Sequence, residues 1–236
     1  MSTNIIEGNP TKKFFIEMIT RDISIEDAII DLLDNSIDGA TQINPNDLSG
    51  FVINIEIDAN KLSIKDNCGG FSLDRAQRYA FRFGRPEDAP TIKNSVGRFG
   101  IGMKRALFKM GKKFSVESQK DLEHFLVNVN VDEWCDKVKQ VNTLDGKTVK
   151  IDDWTFESMT IDDRNSEDGT TIVVTDLKED VKALFGNEDF LNSLYVSITK
   201  MLCFSLIKGM KITLNNKTLT ANCPELFISE NSRPYF

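Results

Sequence analysis

The stretch Asp31-Leu-Leu-Asp-Asn35-Ser-Ile-Asp38 places acids and an amide inside an otherwise apolar run. Helical side chains at i, i+4 and i+7 share a face, so Asp31, Asn35 and Asp38 are predicted to point the same way. Ile29, Ile30, Leu32, Leu33 and Ile37 cover the rest of that helix. Asp34 falls about 100° round from Asn35 and is expected to point elsewhere. Carboxylates taken out of water need partners. A bound metal with phosphates would satisfy this row, and a merely solvated helix face is the plainer alternative. A second cluster, Asp66-Asn67-Cys68-Gly69-Gly70-Phe71, puts paired glycines behind an acid that ends a strand-like run. A third, Gly97-Arg98-Phe99-Gly100-Ile101-Gly102-Met103-Lys104, opens a predicted helix. Glycines there let backbone N–H groups approach an anion, and the helix N-terminus favours negative charge. Standing alone, such a glycine turn equally serves as a tight corner.

The elements that must hold these residues read as follows. A short amphipathic helix is predicted over 11–20. Ser24 then offers an N-cap, with Asp27 three positions on, for a helix over about 25–40. Residues 51–57 alternate as a strand does, and Lys61–Lys65 pairs with them. A helix is predicted from Ser72 to Phe83, followed by a charged, aperiodic lid over about 84–95. The helix Met103–Met110 leads to strands at Phe114–Ser118, His124–Asn130, Asp153–Ser158 and Thr170–Thr175. A long helix, Asp189–Ile207, precedes a hairpin turning at Asn215-Asn216, where Asn tolerates positive φ. The pattern predicts an α+β fold, a two-layer α/β sandwich with a mixed, mainly antiparallel sheet. No internal domain boundary is visible, so residues 1–236 read as one domain with a core over about 15–220.

Composition narrows the chemistry. Hydrophobic content of 40% and charged content of 28% suit a soluble globular domain. A net charge of −7 gives no support for nucleic-acid binding by this segment. The single histidine, His124, lies in a strand-like stretch, which argues against a Ser-His-Asp triad or a histidine-rich metal site. Cys68, Cys135, Cys203 and Cys223 lack metal-ligand or dithiol spacing, and reduced thiols in a cytoplasmic protein are the simplest reading. No apolar run reaches membrane-spanning length.

Taken together and in this order, the three clusters resemble the GHKL ATP-binding family of gyrase, the large heat-shock chaperone, histidine kinases and MutL. Gly169-Thr170-Thr171-Ile172 stands where that family has its last box, so the resemblance covers roughly 15–176. It implies that ATP lies between helices and one face of the sheet, and that ADP is the product. On this basis Asn35 would hold Mg²⁺, Asp66 would accept from the adenine amino group, and Thr170 would support that contact. Gly97, Gly100 and Gly102 would meet the phosphates. Asp38, Gly70, Phe71, Phe99, Ile101 and Met103 would line the nucleotide. Lys104 would either place charge near the phosphates or be a solvated helix lysine. Asp31 stands where the family's ATPases carry a glutamate general base, one methylene longer. Cys68 in place of glycine and Gly39 in place of alanine are smaller departures.

The absence of Lys or Arg from Ile23 to Ile53, and of a phosphoacceptor histidine helix, favours the ATPase branch over the kinase branch. The glycine box is nearest in style to the chaperone, MutL and MORC-like members. The resemblance further implies lid closure, an ATP-dependent homodimer, and a downstream domain of a longer chain that completes the γ-phosphate site. Slow or absent hydrolysis by this segment alone follows as an expectation.

Overall fold

The computed structural model describes residues 8–84, 101–143 and 146–223. Helix α1 (Lys12–Thr20) is capped by Thr11, whose hydroxyl accepts from the Phe14 N–H. Helix α2 (Ile25–Ile43) starts at Ser24, whose hydroxyl accepts from the Asp27 N–H and donates to the Asp27 carboxylate. That is the capping box foreseen from the sequence, and the helix runs three residues past its expected end. Strands β1 (Val52–Asp58) and β2 (Lys61–Asp66) form an antiparallel hairpin. In β1, Ile53, Ile55 and Ile57 are buried while the residues between them are exposed, so one face of the sheet meets the helices.

The helix expected from Ser72 to Phe83 is only partly formed. Helix α3 (Leu73–Arg75) passes into a π-helical turn, Ala76–Ala80, where the Phe81 N–H donates to the Ala76 carbonyl five residues back. Residues 85–95 of the expected lid lie outside the described residues, as do Gly97, Phe99 and Gly100 of the glycine box. Helix α4 (Gly102–Met110) follows, then β3 (Gly111–Lys120), β4 (Glu123–Asn130) and α5 (Val131–Asp136). His124 lies in β4, as its strand-like setting suggested.

A separate two-stranded ribbon, β5 (Val138–Asn142) with β6 (Thr148–Asp152), was not foreseen. The expected strand at Asp153–Ser158 is absent. Strand β7 covers only Ser158–Thr160, because Trp154 and Phe156 turn into an aromatic cluster instead of pairing. That cluster joins Phe83, Phe108, Trp134, Trp154 and Phe156, with Trp134 and Phe156 stacked at 5.2 Å. Lys12 is buried beside it and donates to the Trp134 and Lys137 carbonyls, both at 2.6 Å.

Strand β8 (Gly169–Leu177) precedes α6 (Glu179–Phe185) and α7 (Glu188–Met201). The long C-terminal helix breaks at Leu202, and its last part is α8 (Cys203–Ile207). Strands β9 (Lys211–Leu214) and β10 (Lys217–Thr218) flank Asn215 and Asn216, whose φ values of 47° and 65° match the expected turn.

The sheet order is β10-β9-β1-β2-β8-β3-β4-β7, and among the described residues β1 and β9 are its one parallel pair. A buried row, Leu214–Ile55–Ile64–Ile172–Val116–Val127, crosses six of its strands in register. Ala28, Ile29, Leu32 and Leu33 of α2 and Ala106, Leu107 and Phe108 of α4 belong to the same core. The α+β sandwich with a mixed, mainly antiparallel sheet is therefore observed. Among the described residues no helix is long and apolar enough to cross a membrane.

Because the Ser24 cap fixes the start of the helix carrying the acidic face, Ser24→Ala should cost about 1 kcal/mol in denaturant unfolding. An unchanged midpoint would show that tertiary packing alone sets that start.

Candidate functional site

The site begins where the buried row of the sheet gives way to polar residues. Two positions beyond Ile64 is Asp66, two before Ile172 is Thr170, and two beyond Val116 is Ser118. Side chains two apart on a strand share a face, so these three point toward the helices, one row on from the apolar ladder. Both oxygens of the Asp66 carboxylate are held by this fold, with two bonds on one and one on the other. Its Oδ1 accepts from the Cys68 N–H (2.8 Å) and the Thr170 N–H (3.2 Å), and its Oδ2 accepts from the Ser36 hydroxyl (2.6 Å). Burial pushes its pKa up, and these three hydrogen bonds oppose that rise. Thr170 thus supports Asp66 through its backbone.

Ser36 was missed in the sequence, although a signal was present. It lies in the buried stripe Ile29, Leu33, Ser36, Ala40, where a lone hydroxyl needs a partner. Ser118 was also missed. Its hydroxyl accepts from the Phe71 N–H (2.9 Å) and donates to the Phe71 carbonyl (3.1 Å), while the Phe71 ring meets Phe125 edge-on. Gly70 has φ of 52°, and a Cβ there would come within 2.1 Å of the Gln119 carbonyl, so its role in this structure is to let the loop dock on β3. Cys68 is buried, and burial raises its pKa, which leaves it an inert thiol.

On α2, Asn35 is exposed and its side-chain N–H donates to the Asp31 carbonyl at 2.8 Å. That bond turns the amide so that its oxygen remains an acceptor. Asp31 and Asp38 are half-buried on the same side. Asp34 belongs with them, contrary to expectation. Burial raises its pKa to about 6, and the neighbouring Asp38 and Asp31 charges add to the rise. The helix geometry allows this, since i, i+3 and i+4 side chains are neighbours. Carboxylates gathered in this way would suit a cation. Among the described residues no three His, Cys, Asp or Glu side chains are arranged to hold a metal by themselves. Magnesium accepts few protein oxygens alongside phosphate and water, so the donor set is compatible with it.

Helix α4 lies against α2, and no described side chain caps its N-terminus at Ile101 and Gly102. Met103 is half-buried against the core. Lys104 is not the solvated lysine allowed by the sequence: it is 1% exposed, and its ammonium donates to the Ala80 carbonyl at 2.5 Å. Burial lowers its pKa to about 7. Arg105, missed entirely, forms an ion pair with Asp31 at 2.7 Å. Its buried Nε–H has no acceptor among the described residues. A cavity of about 460 Å³ lined by Phe81, Phe83, Trp154 and Phe156, among others, includes none of these site residues.

The two small departures at 39 and 68 touch each other. A Cβ at Gly39 would come within 2.6 Å of the Cys68 carbonyl and 3.8 Å of the Cys68 Cβ. The clash is with the backbone carbonyl, which any residue at 68 would carry, so it is the glycine at 39 that lets the loop lie this close to α2. Gly39→Ala should lower stability by about 1–3 kcal/mol, and adding Cys68→Gly should leave that loss in place; a rescue of the thermal midpoint by Cys68→Gly would disprove the backbone clash.

Asp34 makes a pH prediction for the nucleotide-free protein. Its folded pKa of about 6 lies above the ordinary 3.8, so the folded state holds the extra proton between those values. Stability from this group is greatest below pH 3.8 and is lost as pH rises through 6. Asp34→Asn should therefore stabilise the protein at pH 7.5 by about 1–2 kcal/mol, discounted for partial exposure, with the gain fading toward pH 4. Melts with equal midpoints at both pH values would count against it.

Compared with curated protein sequences, the chain has no significant match. Residues 23–171 match the family model described as histidine kinase-, DNA gyrase B- and HSP90-like ATPase. The match begins just before the α2 cap and ends within β8, so it takes in both the acidic helix face and the Asp66–Thr170 contact. The chain belongs to the histidine kinase-, DNA gyrase B- and HSP90-like ATPase family, whose domain is of the ATP-binding type.

Proposed function

We propose that this chain binds ATP with Mg²⁺ and hydrolyses it slowly to ADP and phosphate. The Asp66 cradle carries the reading: a carboxylate fixed by Ser36, Cys68 and Thr170 faces the helices with lone pairs that suit the adenine amino group. Guanine has a carbonyl at that position and would be refused. Phe71 and Met103 would flank the purine, with Gly70 shaping the loop beneath it. The uncapped start of α4, at Ile101 and Gly102, would donate backbone N–H groups to phosphate oxygens. Gly97, Phe99 and Gly100 complete the glycine box in the sequence reading.

The Asn35 oxygen would hold Mg²⁺, with Asp38 nearby, and the bound metal would neutralise phosphate charge. Asp31 would then accept the proton of the attacking water as general base. Lys104 would serve the phosphates only after leaving the Ala80 carbonyl. Closure over the nucleotide by the segment after Phe83, and ATP-dependent pairing of two copies, complete the switch in this proposal. The glycine-box style favours the chaperone, MutL and MORC-like branch, with a downstream domain of a longer chain contributing to turnover.

A second reading is favoured by the ion pair on Asp31: a module that binds nucleotide and dimerises without turnover. Calorimetric titration with a non-hydrolysable ATP analogue should show binding strengthened by Mg²⁺, lost in Asp66→Asn, with the Mg²⁺ enhancement lost in Asn35→Ala. Asp31→Asn should keep binding and lose turnover, by about 100-fold or more. Binding undiminished in Asp66→Asn would refute the adenine assignment; turnover undiminished in Asp31→Asn would refute the base.

A further inference from the structure

The Asp31–Arg105 pair joins the two helices on which the proposed hydrolytic step depends. Arg105 Nη2 donates to Asp31 Oδ2 at 2.7 Å, and the two side chains are 33% and 27% exposed. The other carboxylate oxygen, Oδ1, makes no hydrogen bond to any described residue. The start of α4 passes over the same group, since a Cβ built at Gly102 would lie 3.5 Å from Oδ2. Arg105 is fixed one turn into that helix, where its N–H donates to the Ile101 carbonyl at 2.8 Å.

The pair is not needed to dock the helices. Leu32 and Leu33 of α2 and Ala106 and Leu107 of α4 are fully buried in the shared core. Nor does it saturate the guanidinium, whose buried Nε–H has no acceptor among the described residues. The arginine is placed for Asp31 at the expense of its own hydrogen bonding.

We propose that Arg105 is a positioning residue for hydrolysis. It holds Oδ2 so that Oδ1 faces the attacking water, and it compensates for the methylene that Asp31 lacks relative to glutamate. In the step itself, the water oxygen bonds to the γ-phosphorus and the bridging P–O bond breaks. ADP leaves with that electron pair, the water proton passes to Asp31 Oδ1, and Arg105 stays protonated. This inference rests on the hydrolytic reading above.

The test combines steady-state ATPase kinetics with calorimetric binding of a non-hydrolysable ATP analogue, in Mg²⁺, on wild type, Arg105→Gln, Arg105→Lys, Asp31→Asn and the Asp31→Asn/Arg105→Gln double variant. Arg105→Gln should lower kcat by about 10–100-fold while KM and Kd stay within about threefold, the signature of misplacement rather than lost binding. Arg105→Lys should recover most of the rate. In the Asp31→Asn background, Arg105→Gln should cost nothing further. Wild-type kcat in Arg105→Gln, an equal fractional loss in both backgrounds, or loss of binding would each overturn the positioning role while leaving the hydrolytic reading intact. Binding without turnover by wild type would instead overturn the hydrolytic reading and the Arg105 role with it.

Discussion

Strand β2 delivers Leu62 and Ile64 to the interior, and its next inward residue is an acid. A carboxylate at that depth is tolerated only because three separate parts of the chain converge on it: the hydroxyl of Ser36 on α2, the Cys68 N–H of the following loop, and the Thr170 N–H of β8. Each of those parts has its own reason to be there, in the buried stripe of α2, the glycine-shaped turn and the antiparallel ladder. Satisfying Asp66 holds all three in one relative placement. The acidic face of α2 inherits its position from that constraint, because Ser36 adjoins Asn35.

Charge is distributed around this anchor in an unequal way. Asp31, Asp34, Asn35 and Asp38 concentrate acceptors on one side of α2, and burial, with the neighbouring Asp38 and Asp31 charges added to it, raises the pKa of Asp34. Two cations from α4 answer differently. Arg105 meets Asp31 directly, whereas Lys104 turns inward to the Ala80 carbonyl, near the ring of Phe83. Helix α4 thus neutralises one acid of that face through Arg105.

Much of this was legible in the sequence because it is local. Alternation in Phe51–Ile57 gave β1, the Ser24/Asp27 spacing gave the start of α2, and Asn215-Asn216 gave a hairpin turn. The acid and glycine clusters pointed to the family by order and spacing. What escaped depends on partners far along the chain. Trp154 and Phe156 alternate like a strand, but the rings of Trp134 and Phe83 claim them. Arg105 looks like any exposed helix residue until α2 is packed beside α4. The π-helical turn at Ala76–Ala80 and the break at Leu202 are tertiary compromises within helical sequence. Asp34 was misplaced by treating a 100° offset as separation, when i+3 and i+4 neighbours share one electrostatic environment.

The aromatic cluster has an optical consequence. The chain contains two tryptophans, Trp134 and Trp154, and both lie within 6 Å, ring centre to ring centre, of Phe83, the second-last described residue before 85–100. Intrinsic tryptophan fluorescence of this protein therefore originates beside Phe83. The molecule carries its own spectroscopic reporter packed against Phe83, and it needs no added label to be read.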